Sequence, residues 1–195
     1  MRLFVALAID DAIRQRLTTF LDGVRGFAPD TNWARPENLH ITLKFIGEQP
    51  SERLDGIITS LASLPTAVAR FEISFRSYGF FPTAKSPRVF WVGIEAGEQL
   101  AALAKSVDIA LSRVDIVEET RAFSPHLTLA RSGSGRPQRA RGDHPNKKFQ
   151  RLQEKLAAMP PLDFGTMSAR EFYLYESKLS PAGARYTKLQ RFPFS

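Results

Sequence analysis

Two of the chain's three histidines open the same tetrad, His40-Ile41-Thr42-Leu43 and His126-Leu127-Thr128-Leu129. Successive side chains of a β-strand point to opposite faces of its sheet. Read as strands, both tetrads send a histidine and a threonine to one face and two aliphatic residues to the other. Each tetrad also follows an apolar pattern of helical period. Ile13, Leu17, Phe20, Leu21 and Val24 precede the first; Leu100, Leu103, Val107, Ala110, Leu111 and Val114 precede the second. A recurring helix-then-tetrad unit is weak internal symmetry and points to two related half-units. A single tetrad of this kind is an ordinary strand with a β-favouring threonine. Two such units facing each other would place two imidazoles and two hydroxyls about one cleft.

Strand-like and helix-like stretches alternate through the rest of the chain. The apolar run from Arg2 to Ile9, ended by Asp10-Asp11, predicts a buried strand, and Leu39 to Ile46 a second. Asn32 to Glu37 carries turn chemistry around Pro36. Ser51 is placed to cap a helix with Leu54, Ile57, Ile58 and Leu61 on its apolar face. Phe71–Phe81 and Val89–Ile94 predict a hairpin across the loop Pro82–Pro87, and Leu127–Arg131 another strand. A short helix carries Phe149, Leu152 and Leu156. Ser168–Leu179 and Arg185–Phe192 predict a closing hairpin across Ser180-Pro181-Ala182-Gly183. The stretch 132–148 reads as a flexible basic loop without interleaved aromatics. The order is α+β, and 195 residues suit one domain of two lobes.

Composition narrows the chemistry. With no Cys, the chain has neither a disulfide framework nor a thiol nucleophile or Cys-ligated metal. That fits a reducing cytoplasm. The N-terminal apolar run is too short to span a membrane and lacks a signal-peptide cleavage pattern. Twenty-seven Lys and Arg against 20 Asp and Glu leave a net charge of +7, which tilts the choice of partner towards polyanions. No G-x-x-x-x-G-K-[ST] loop is present, which argues against ATP use.

Paired imidazoles serve as complementary proton donor and acceptor near neutral pH, and hydroxyls donate to anionic oxygens. A phosphodiester fits this set without a metal: one histidine activates a nucleophile, the other protonates the leaving oxygen, and Thr42 and Thr128 hold the non-bridging oxygens. A zinc site fits less well, because the histidines lack the close spacing of metal motifs. By alternation Lys44 shares the face of His40 and Thr42, where it either steadies the phosphate or reaches solvent. Strict alternation turns Arg131 away from His126, although it stands where the strand should end. Tyr186 and Phe81 read as hairpin or core residues.

The paired tetrads resemble those of the 2H phosphoesterase superfamily. The segments RLFVALAI at the start, WARPENLHITLKFIGE from Trp33 to Glu48, SPRVFWVGI from Ser86 to Ile94, FSPHLTLAR from Phe123 to Arg131 and LYESKLSPAGARYTKL from Leu174 to Leu189 narrow this. In this order they resemble the RNA 2′,3′-cyclic phosphodiesterase (2′-5′ RNA ligase) family. The resemblance implies a bilobal α+β fold of two pseudo-symmetric halves, each centred on an antiparallel sheet with flanking helices, with the site in the cleft between them. It implies hydrolysis of an RNA or nucleoside 2′,3′-cyclic phosphate to the 2′-phosphomonoester. No cofactor is expected, and a monomer is the expected state. His40 is then the proton donor, His126 the proton acceptor, and Thr42 and Thr128 the phosphate ligands. Arg131 gains a substrate role, since the family commonly has a basic residue there. A 2′-5′ RNA joining activity follows as the reverse reaction. Two other classes stay open: a phosphodiesterase for another small cyclic or 2′-5′ linked nucleotide, and a non-catalytic RNA-binding module.

Overall fold

The computed structural model describes residues 1–64, 68–133, 147–180 and 183–195. Its strands are β1 (Arg2–Ala8), β2 (Asn32–Trp33), β3 (His40–Glu48), β4 (Phe71–Phe81), β5 (Val89–Glu95), β6 (His126–Arg131), β7 (Asp163–Ala169), β8 (Glu171–Ser180) and β9 (Gly183–Pro193). Its helices are α1 (Asp11–Val24), α2 (Leu54–Ala62), α3 (Gly97–Ser112) and α4 (Gln150–Ala157). They form two sheets, one ordered β3-β1-β8-β9 and one ordered β2-β6-β5-β4-β7. Every strand pair is antiparallel. The two-lobed α+β architecture expected from the sequence is present.

Neither sheet is built from one half of the chain. The first pairs β1 with β8 near the other terminus, and the second takes β2 as the edge partner of β6. Helices cross over in the same sense, α1 packing on β7 and α3 on β3. One continuous apolar core results. It joins Leu3, Val5, Leu7 and Ile41 of the first sheet to Ile73, Phe75, Phe90, Val92 and Leu127 of the second. The buried stripe of α1 is Ile13, Leu17, Leu21 and Val24, and Asp10 caps the helix by accepting from the Ile13 N–H at 2.8 Å.

Three sequence expectations change. Ser51 does not cap α2; it opens a 3₁₀ turn, Ser51–Arg53, that runs into the helix with no side-chain cap hydrogen bond. The strand expected from Ser168 is two strands in different sheets: β7 pairs with β4, the chain turns at Arg170, and β8 pairs with β1. Short apolar stretches on either side of a single turn residue look like one strand when the pairing partners are distant in sequence. Val114 lies beyond the end of α3. The expected basic loop falls mainly on 134–146 and the tip of the closing hairpin on 181–182, both outside the described residues.

Candidate active site

The tetrads open β3 and β6, and their burial runs in parallel. Residues 40–45 and 126–131 are each half-buried, buried, half-buried, buried, buried and exposed in turn. Alternation therefore holds for the first four positions. Ile41, Leu43, Leu127 and Leu129 enter the core, and His40, Thr42, His126 and Thr128 face away from it.

Alternation then breaks at the same place in both strands. Ala6 pairs with Thr42 and Val5 with Lys44, leaving Leu43 as an extra residue; Trp91 pairs with Thr128 and Phe90 with Ala130, leaving Leu129 as the extra one. An extra residue of this kind is a β-bulge, and it reverses which face the following side chains take. Two consequences correct the simple alternation of the sequence. Lys44 leaves the face of His40 and is buried, 7% exposed, with its Nζ 2.6 Å from Asp108 and donating to the Val117 carbonyl at 2.7 Å. It neither faces a phosphate nor reaches solvent. Arg131 returns to the face of His126 and forms no ion pair among the described residues.

The equivalent position in the first repeat is Phe45, 62% exposed, its ring 6.0 Å from that of Phe4. Sequence reasoning missed this residue. Aligning the tetrads two residues further, HITLKF against HLTLAR, would have paired it with Arg131.

Both histidines are held by one device. His40 Nδ1 lies 2.6 Å from the carbonyl of Asn38, and His126 Nδ1 lies 2.8 Å from the carbonyl of Ser124. A carbonyl only accepts, so Nδ1 carries the hydrogen in each ring, and Nε2 is the nitrogen left for chemistry. Aromatic walls fix the ring planes. Tyr186 stands edge-on to His40 at 5.2 Å, with Phe4 tilted at 4.9 Å; Phe81 stands edge-on to His126 at 5.0 Å. Tyr186 and Phe81 are hairpin residues, as expected, of β8–β9 and β4–β5, and from there they also wall the site. Trp91 also borders His126, and its indole lies across Gly79, where any Cβ would run into it. The β8–β9 hairpin is tied to the segment before β3 by the Asn38 side-chain amide, which donates to the Ala184 carbonyl at 2.8 Å.

The strands β3 and β6 pack together, so the two rings share one electrostatic environment. Burial pushes the His40 imidazole below its ordinary value. The hydrogen bond to Asn38 opposes that shift, and the charges of Arg131 and His126 add to it. His126 is lowered for the same first reason, with Arg131 again contributing. Arg131 therefore acts on both rings, one from each repeat. Arg131→Gln is expected to raise both histidine pKa values in an NMR titration of the imidazole protons. Unchanged titration curves would place the guanidinium away from the rings.

The Thr42 and Thr128 hydroxyls make no hydrogen bond to protein among the described residues. They stand two residues along from the histidines, beside Arg131 in the second strand. Two Nε2 atoms, two hydroxyls and one guanidinium form a set able to bind a small anion and to move protons on either side of it.

The chain is similar to known proteins over nearly its whole length. The model of the LigT-like phosphoesterase family matches twice, over residues 7–91 and 92–186, one tetrad in each match. An RNA 2′,3′-cyclic phosphodiesterase from Archaeoglobus fulgidus is 34% identical over 192 residues, covering 98% of this chain and 99% of its own. One from Methanothermobacter thermautotrophicus is 30% identical over 192 residues, covering 98% of each. The crystal structure of a Thermus thermophilus protein superposes with a TM-score of 0.78 at 29% identity, over 100% of this chain and 98% of its own. That of Escherichia coli LigT complexed with 3′-AMP gives 0.76 at 25% identity, over the same shares.

Proposed function

The chain belongs to the LigT-like phosphoesterase family, and from that premise we propose that it hydrolyses RNA and nucleoside 2′,3′-cyclic phosphates to 2′-phosphomonoesters by two-histidine acid–base catalysis. The observation that carries the proposal is the matched pair of imidazoles, each tied through Nδ1 to a carbonyl two residues upstream and each paired with an unengaged threonine hydroxyl.

In the proposed reaction His126 Nε2 takes a proton from water as the water oxygen attacks phosphorus. The bond from phosphorus to O3′ breaks, and His40 Nε2 delivers its proton to O3′. The product carries the phosphate on O2′ and a free 3′-hydroxyl. Thr42 and Thr128 donate to the non-bridging oxygens. Arg131, freed of any carboxylate, meets the negative charge that builds on them. Exposed Phe45 offers its ring face to the base of the terminal nucleotide, a contact that tolerates any sequence. The split of acid and base follows the family. The same two groups serve 2′-5′ joining when an RNA 5′-hydroxyl stands in for water, and the enzyme acts as a monomer. No helix among the described residues is long and apolar enough to cross a membrane.

The depressed imidazoles set the pH profile. His126 must be neutral to accept a proton and His40 charged to donate one, so activity falls at low pH on one and at high pH on the other. Both pKa values are lowered, which moves the bell for kcat/KM to the acid side of ordinary imidazole.

The test is incubation of the purified protein with EDTA and an RNA ending in a 2′,3′-cyclic phosphate, followed by identification of the phosphate position. A 2′-phosphate is expected. A 3′-phosphate, or activity abolished by EDTA and restored by a divalent metal, would overturn the scheme.

A further inference from the structure

A groove of about 700 Å³ opens at the start of α1, between the end of β1, the β7–β8 turn and β9. Five cations line it: Arg14, Arg70, Arg170, Lys188 and Arg191. The acids beside them are already engaged. Asp10 caps α1, Asp11 is bound by Arg14 at 2.8 Å, and Glu171 is bound by Arg191 at 2.5 Å and by the Tyr173 hydroxyl. Arg70, Arg170 and Lys188 have no carboxylate within ion-pair distance among the described residues. Lys188 Nζ lies 3.9 Å from the centre of the Tyr173 ring, and Arg14 Nε is buried without a partner. The fold therefore holds several cations together with too few anions to match them, at a cost in mutual repulsion that folding alone does not require.

The groove borders the face that carries His40. Ala8, which lines it, is the register partner of His40 on the neighbouring strand. Tyr173 lies 5.8 Å from Tyr175, whose ring is 6.2 Å from His40. Between the groove and His40 this face carries Ala6 and Ala8 of β1, packed against Tyr173, Tyr175 and Tyr186. Phe45 and the groove lie on opposite sides of His40 along the sheet, and the rest of an RNA with a 2′,3′-cyclic end lies 5′ of that end.

We infer that this groove is a subsite for the sugar-phosphate backbone of RNA immediately 5′ of the cyclic end. Unpaired Arg and Lys side chains contact phosphates without reading bases, so such a subsite would hold RNA whatever its terminal sequence. The inference rests on the phosphodiesterase reading for its substrate and adds to it a preference for RNA over mononucleotides.

The experiment compares kcat/KM for a nucleoside 2′,3′-cyclic phosphate and for a decanucleotide ending in the same group. Both are measured on the wild-type protein and on a variant carrying Arg70→Gln, Arg170→Gln and Lys188→Gln. The wild type is expected to favour the decanucleotide. The variant should lose about tenfold or more on it, keep its rate on the nucleoside substrate, and show a salt slope shallower by about 2. An unchanged preference, or an equal loss on both substrates, overturns the subsite. Failure of the wild type on both substrates would instead overturn the phosphodiesterase reading. Fluorescence anisotropy with the same decanucleotide then decides the groove alone, and equal affinity for wild type and variant would exclude it.

Discussion

Alanine in place of His126 or of His40 is expected to lower kcat on a 2′,3′-cyclic phosphate end by about 10²–10⁴-fold. Each ring is half-buried at the edge of its strand, bonded to protein through a single Nδ1 contact, so its loss removes a proton carrier without opening the core. Circular dichroism and urea midpoints should stay close to wild type. The double variant should be little worse than either single one, because acid and base act on one transition state. Loss of one limb of the bell in each single variant, the acid limb in His126→Ala and the alkaline limb in His40→Ala, would separate their roles. Single-turnover rates with an end-labelled RNA make the measurement. Undiminished kcat in either variant would remove the two-histidine mechanism.

Asp108→Ala is expected to be the most damaging single change to stability, costing about 3–5 kcal/mol. Its carboxylate meets Lys44 Nζ at 2.6 Å with both side chains almost fully buried, and it accepts from the Glu119 N–H at 3.1 Å. Removing it strands an ammonium in the interior. Asp108 is on α3 and Lys44 follows the first tetrad, while Val117 and Glu119 lie on the segment leading to the second. The pair thus anchors the approach to β6, and activity should fall with stability. The double variant Lys44→Met/Asp108→Leu should recover much of the loss, since a packed apolar pair replaces a buried ion pair at little cost. A urea titration of the three proteins decides it; an unchanged midpoint for Asp108→Ala would show that the pair contributes nothing.

Much of this molecule is readable from its residues. Strand alternation correctly orients both tetrads because each lies between core and cleft, where one face must be apolar. Helical periodicity finds α1 and α3 for the same reason. The errors share one origin, which is that pairing between distant strands leaves no local mark. The bulges at Leu43 and Leu129 depend on register against β1 and β5, and they decide that Lys44 is buried while Arg131 and Phe45 are not. The break at Arg170 depends on β7 and β8 joining different sheets. Tyr186 joins the site through its ring contact with His40 and the tie from Asn38 to Ala184, neither of which a periodicity can show.

The exchange of strands between the halves bears on how the molecule comes into being. During synthesis β1 and β3 emerge early, but β1 keeps one edge open until residues 171–193 leave the ribosome and β8 closes it. The wall that Tyr186 gives to His40 arrives with that last segment. A nascent chain therefore carries a complete first tetrad without its surroundings for most of translation, and a truncation before β8 leaves an adhesive strand edge in place of a finished sheet. With strands traded in this way, neither repeat holds all the strands of a sheet, and neither half of the chain can complete one by itself.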